Sequence, residues 1–292
     1  MVDDSPQELS YDLLYEAFWE GSALARPIQG TRESVAGLSR EHILEYHGGR
    51  YAPSNLLLSA AGNLDFGAFL EMARARFASL PARSVEAADP PPPVSKAGFV
   101  RKVKGEMEQA HMTIAFPGLA ATDERRYPLA LLNTILGGGL SSRLFQKVRE
   151  ERGLAYNVYS SLSGYRDAGD LIVYAGTSRE TIRETLQVIA AEIATLRDGG
   201  ATPEEVRNAK EHLKGGLMLA LESTSNRMSN LARQELYFGR QYTPDEVLDR
   251  VEAVRDEEVR EAAQAVLRPE QACMVLLGDV EGVEAGPELL RV

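Results

Sequence analysis

One segment of this chain occurs twice. Residues 35–62 reappear near the C-terminal end at a constant offset of 216: Val35 matches Val251, Leu38 matches Val254, Ile43 matches Val259 and Tyr51 matches Leu267. Pro53 then matches Pro269, Asn55 matches Gln271 and Gly62 matches Gly278, without a gap. The shared string reads as a helix, a proline turn, a short strand and a glycine. Repetition at a fixed period implies one folding unit built twice. The second copy begins near Gly98, so at the same offset the first would begin about 118 residues before Met1. The first copy is therefore expected to be incomplete.

The two copies meet in a stretch of different character, ARSVEAADPPPPVSKA. Pro90 to Pro93 cannot join a helix or a central strand and favour an extended conformation. The expected organisation is a first domain over 1–81, a proline-rich linker over 82–97 and a second domain over 98–292. Helical spacing is clear over 6–20, where Leu9, Leu13, Leu14, Ala17 and Phe18 share a face, and over 179–197. A helix opens at Ser39, whose string Ser39-Arg40-Glu41-His42 is a weak capping box, and another at Thr202-Pro203-Glu204-Glu205. Helices are also expected over 65–78 and 127–136. Strands are expected over 56–61, 99–104, 109–116, 170–175 and 272–277. Elements in this proportion define an α+β sandwich with helices on one face.

Chemistry is concentrated in GGGLSSRLFQKVREERGLAYNVY, residues 137–159. The spacing predicts a glycine-rich break, a helix capped by Ser141 or Ser142, a turn at Gly153 and a strand from Ala155. Arg149 then lies near the end of the helix and Tyr156 at the entry of the strand, where they can converge on one site. The run Gly137–Gly139 lacks the following Gly-Lys-Ser/Thr of a phosphate loop and reads as a flexible helix terminator.

Composition narrows the function. With 32 basic and 43 acidic residues the net charge is −11, which argues against a nucleic-acid partner. No apolar run is long enough to span a membrane. The first residues, MVDDSPQELS, are polar and acidic, unlike a signal peptide, which favours a cytoplasmic over a periplasmic setting. The one cysteine, Cys273, sits in an apolar run and reads as core, as does Trp19.

The string GGGLSSRLFQKVREERGLAY is very similar to the signature of the M16 (pitrilysin, insulinase and mitochondrial processing peptidase) family of zinc metallopeptidases. The likeness extends over nearly the whole chain; residues 24–65 resemble the family's first-domain ending. The resemblance implies duplicated M16-type (LuxS/MPP-like) α/β sandwich domains, the first incomplete. It also implies that Arg149 and Tyr156 are substrate-binding residues, contacting peptide carbonyls across a cleft from a zinc ion.

The family's zinc site is an H-x-x-E-H helix with a further glutamate in a string resembling E-x-x-M-x-x-D-x-P. Met1 to Pro6 look like the tail of that string, and none of the implied metal ligands is present in this chain. His42-Ile43-Leu44-Glu45-Tyr46-His47 has one residue too many, which puts the two histidines about 140° apart on a helix. Asn208 to His212 has Asn where the first His should be, and His111 reads as structural. The expectation is a part of an M16-type zinc metalloendopeptidase that supplies the Arg/Tyr domain. Its partners would be a peptide substrate and a zinc-bearing M16 subunit or a second copy. The alternative is a non-catalytic homologue acting as partner subunit or scaffold. This chain alone is expected to bind no stoichiometric zinc and to cleave no peptide; metal analysis beside a peptide-cleavage assay checks both.

Overall fold

The computed structural model describes residues 5–80, 85 and 90–291. Met1 to Asp4, the body of the expected metal-string tail, lie outside the described residues, as does half of the expected linker. In chain order the helices are α1 (Pro6–Phe18), α2 (Arg32–Ala36), α3 (Arg40–Arg50), α4 (Phe66–Phe77) and α5 (Arg126–Gly137). They continue with α6 (Ile182–Gly199), α7 (Pro203–Ala220), α8 (Thr224–Phe238), α9 (Pro244–Ala253) and α10 (Asp256–Val266). The strands are β1 (Gly98–Val103), β2 (Ala110–Pro117), β3 (Ala155–Gly164), β4 (Gly169–Thr177) and β5 (Cys273–Gly278). Two compact units result. One takes the described residues of 1–27, 92–215 and 244–292, and the other those of 28–91 and 216–243.

The first unit is built on a five-stranded sheet in the order β1-β5-β2-β4-β3. β1 runs parallel to β5, and the remaining pairs are antiparallel. Every residue of β4 and β5 is buried, and β2 is buried as far as Phe116. Such continuous apolar runs require cover on both faces. Met112, Ile114, Val173, Met274 and Leu276 share one core with Leu132 of α5, Ile189 of α6 and Ala263 of α10. Ala115, Ile172, Cys273, Val275 and Leu277 face the other way, onto Leu14, Phe18 and Trp19. The structure thus adds to the expected single helical layer: α1 covers the second face. Leu14 and Phe18, one turn apart, are fully buried there.

Two polar clusters lie beneath α1. Gln7 donates to the hydroxyl of Tyr159 at 2.8 Å, Tyr11 meets the same hydroxyl at 3.0 Å, and His111 Nδ1 pairs with Tyr174 at 2.8 Å. This satisfies His111 structurally, as expected from the sequence. Asp170, at the start of β4, is 1% exposed, and neither carboxylate oxygen has a hydrogen-bond partner among the described residues. Burial pushes its carboxyl up to about 6, with the nearby Ser163, Tyr15 and Trp19 groups pulling the other way.

The second unit shows the repeat directly. α3 and α10 begin and end 216 residues apart (40 to 256, 50 to 266), and so do the short turns Pro53–Asn55 and Pro269–Gln271. Gly62 and Gly278 both adopt positive φ, +144° and +130°. Ser39 and His42 form the expected capping box on α3. Burial differs sharply between the copies. Val251, Val254, Val259 and Leu267 are 0–6% exposed, whereas Val35, Leu38, Ile43 and Tyr51 are 48–58% exposed. The strand expected over 56–61 does not form. Its counterpart β5 is hydrogen-bonded between β1 and β2, and at the same offset those neighbours map outside this chain. A strand exists only in a ladder. Residues 56–61 are held instead by contacts such as Ser59 Oγ to the Met228 carbonyl at 2.8 Å.

Asp170 carries a linkage consequence. Its folded pKa lies above the ordinary value of 3.8, so its neutral form contributes stability at low pH. That contribution is lost as pH rises from about 4 through about 6. Asp170→Asn is therefore expected to raise stability at pH 7, by up to about 3 kcal/mol, and to flatten the acid limb. Thermal unfolding of both proteins between pH 4 and 7 measures this.

Candidate functional site

The segment joining α5 to β3 departs twice from regular structure. Arg143 and Leu144 open a helix, but Phe145–Glu150 continue it as a π-helix. The wide turn is visible in the bond from Glu151 N–H to the Gln146 carbonyl at 2.9 Å. π turns are rare and recur at functional sites. Leu144 and Val148 are fully buried and hold this segment on the core. Arg149 lies on its exposed side. The second departure is in β3. Ala155 pairs with Thr177 and Asn157 with Gly176, leaving Tyr156 as the extra residue of a β-bulge. Bulges re-aim side chains at sheet margins. Tyr156 is accordingly 79% exposed, on an edge strand.

A tight turn joins the two. Gly153 adopts φ +61°, its N–H donates to the Arg149 carbonyl at 3.0 Å, and Leu154 N–H donates to the Val148 carbonyl at 2.9 Å. Thr177 Oγ1 donates to the Leu154 carbonyl at 2.6 Å and lies within 3.1 Å of the hydroxyls of Thr181 and Thr185. Few degrees of freedom remain between Arg149 and Tyr156.

The basic side chains of 143–152 are not equivalent. Arg143 pairs with Glu205, Lys147 with Glu151 at 2.6 Å and Arg152 with Glu184 at 3.5 Å. Among the described residues Arg149 has no carboxylate partner; its guanidinium lies over the Phe145 ring at 5.0 Å. Tyr156 borders a cleft of about 340 Å³, shared with Glu108, Gln109, Thr177, Ser178 and Thr181. Arg149 does not line this cleft. The bulge and the hydroxyl-rich wall escaped the sequence reading, since both depend on which strands lie side by side.

Two local expectations change. Ser142 does not cap a helix through its side chain; its hydroxyl donates back to the Gly139 carbonyl at 2.6 Å, closing the preceding turn. Nor is the glycine run simply a loose terminator. A Cβ on Gly137 would lie 2.3 Å from the backbone nitrogen of Ser160, so α5 rests directly on β3 there. At Gly139 the nearest atom is 3.8 Å away, on His212.

The histidines of the metal near-misses have other contacts. His42 Nδ1 accepts from the Ser39 N–H at 3.3 Å, and His47 stacks on Tyr51 at 4.5 Å. Among the described residues no group of three or more His, Cys, Asp or Glu side chains is placed to hold a metal ion. The donor set that zinc needs does not fit what these residues supply.

The family described as the peptidase M16 inactive domain matches residues 37–213, and the chain belongs to that family. An uncharacterized zinc protease of Streptomyces coelicolor is 38% identical over 273 residues, covering 91% of this chain and 60% of that protein. A second, from Bacillus subtilis, is 37% identical over 276 residues, covering 94% of this chain and 67% of its own length. The chain thus spans about three-fifths to two-thirds of these relatives. Among solved structures, an M16 inactive domain from Pseudomonas fluorescens superposes with a TM-score of 0.82 at 23% identity, covering 94% of this chain and 66% of that one. A Helicobacter pylori protease gives 0.83 at 20% identity, covering 94% and 67%. At these identities the likeness shows a shared fold, the mixed α/β architecture with its five-stranded sheet.

The glycines provide a test of the packing. Gly137→Ala is expected to cost about 1–3 kcal/mol through overpacking against Ser160. Gly139→Ala should fall within about 0.5 kcal/mol of the parent. Urea unfolding of the two variants separates a close-packing glycine from a permissive one.

Proposed function

We propose that this chain supplies the substrate-gripping domain of an M16-type zinc endopeptidase acting on extended peptides. Arg149 and Tyr156 are its contact residues. The observation that carries the reading is the exposed Arg149, without a carboxylate partner among the described residues, one tight turn before the exposed bulge residue Tyr156. Both groups are hydrogen-bond donors, suited to peptide carbonyls and to the negative charge that develops on a carbonyl oxygen during hydrolysis. Zinc, when bound in the complete enzyme, would supply an activated water, and its ligands would come from outside this chain.

The reading includes a zinc-bearing partner half. Its support is the second unit, where the exposed Val35, Leu38, Ile43 and Tyr51 correspond to core positions in the other copy. Strands like β1 and β2, with a helix like α5, would bury that face. Nothing in the charge balance favours nucleic acid, and no described helix is long and apolar enough to cross a membrane.

The test joins this chain to an H-x-x-E-H half, fused upstream or added as a second polypeptide, and follows cleavage of a quenched fluorescent peptide. Arg149→Ala is expected to lower kcat/KM by about 100-fold or more and Tyr156→Phe less, with unfolding curves unchanged. Undiminished turnover in Arg149→Ala would remove the assigned role.

A further inference from the structure

Beyond the two contact residues, a cluster of directed polar contacts in the first unit surrounds Arg143. Its side chain is 13% exposed. Nε donates to Glu205 Oε1 at 2.6 Å and Nη2 to Oε2 at 2.8 Å, a planar two-point fork. Nη2 also reaches the Gly200 carbonyl at 3.3 Å, and Nη1 lies 3.9 Å from Glu192 Oε2.

The acceptors are themselves fixed. Glu205 Oε2 accepts from Thr202 N–H at 2.8 Å and from its hydroxyl at 3.0 Å, while Glu205 N–H donates to Thr202 Oγ1 at 3.2 Å. This reciprocal cap starts α7. Glu192 projects from α6, and Gly200 makes the corner between the two helices at φ +78°. The Arg143 fork holds the Glu205 carboxyl down at about 2, while burial raises that of Glu192. A single guanidinium therefore ties the start of the Arg149 segment to a corner of two eighteen-residue helices.

Apolar packing does not by itself fix how that segment is rolled. Leu144 and Val148 anchor one side of it, and an apolar contact is non-directional, so a small rotation costs little. A forked ion pair is directional. We propose that Arg143, gripped by Glu205 and Glu192, is a positioning residue that sets the roll of the π-helical segment and so aims Arg149. The part concerning Arg149 rests on the peptide-gripping reading above; the fixing of the segment does not.

Hydrogen exchange by mass spectrometry tests the fixing. In Arg143→Met the amides of 144–156 are expected to exchange about tenfold faster or more, while those of β2 and β4 keep their protection. Arg143→Lys keeps the charge without the fork and should fall between; it carries the same test should the methionine variant not fold. Unchanged exchange over 144–156 would overturn the proposal. The aiming is read by titrating the chain against a dye-labelled, reduced and carboxymethylated α-lactalbumin as an extended-chain probe. Arg143→Met should weaken binding about tenfold, and Arg143→Met/Arg149→Ala should bind no more weakly than Arg149→Ala alone. Additive losses would reduce Arg143 to a general stabiliser and overturn the aiming. Unchanged probe binding in Arg149→Ala would strike the peptide-gripping reading, with the exchange result still deciding whether Arg143 fixes the segment.

Discussion

The first unit depends on a sheet that must be covered on both faces. β4 and β5 are buried at every residue, and β2 over nearly its whole length, so a single helical layer would leave half of their side chains in water. α5, α6 and α10 take one face and α1 the other. The margins follow different rules. β1 and β3 lie at the sheet edges, where side chains reach solvent and a strand can depart from its register without opening the core. The candidate site lies at such a margin.

Its geometry comes from local irregularity within a rigid frame. A π turn and a β-bulge each displace a residue from where a regular element would put it, and both occur within thirteen residues of the chain (145–157). Leu144, Val148, Leu154 and Val158 are buried around them and keep the segment on the core, and backbone hydrogen bonds from Gly153 and Leu154 close the turn between them. The two outward groups are thus carried by a short piece of backbone whose inner side is part of the core. On the proposed reading, this arrangement limits the entropy that a gripped peptide would cost.

Much of this was legible in the sequence. α3 and α10 could be located because their apolar periodicity, proline turn and glycine recur together, and local signals decide helices. β2, β4 and β5 were visible as apolar runs. The strand expected at 56–61 shows the limit of the same reasoning: its composition matches β5, but ladder partners are a non-local property. The bulge at Tyr156 was hidden for the same reason. Ser142 departs from its expected cap because a hydroxyl beside a helix start can accept from the helix or donate to the turn before it, and composition does not choose between them. The contact of Gly137 with Ser160 links residues 23 positions apart through backbone atoms, which leave no side-chain trace.

Neither compact unit is a continuous length of chain. α1 comes from the start of the sequence yet completes the sheet formed by 98–278, while α8 comes from the later half and belongs with residues 28–91. A nick near Pro91 would therefore yield two fragments, each carrying one helix that the other's unit needs. Separated, one would bare the sheet face that Leu14 and Phe18 now cover; left together, they would stay mated without a peptide bond between them.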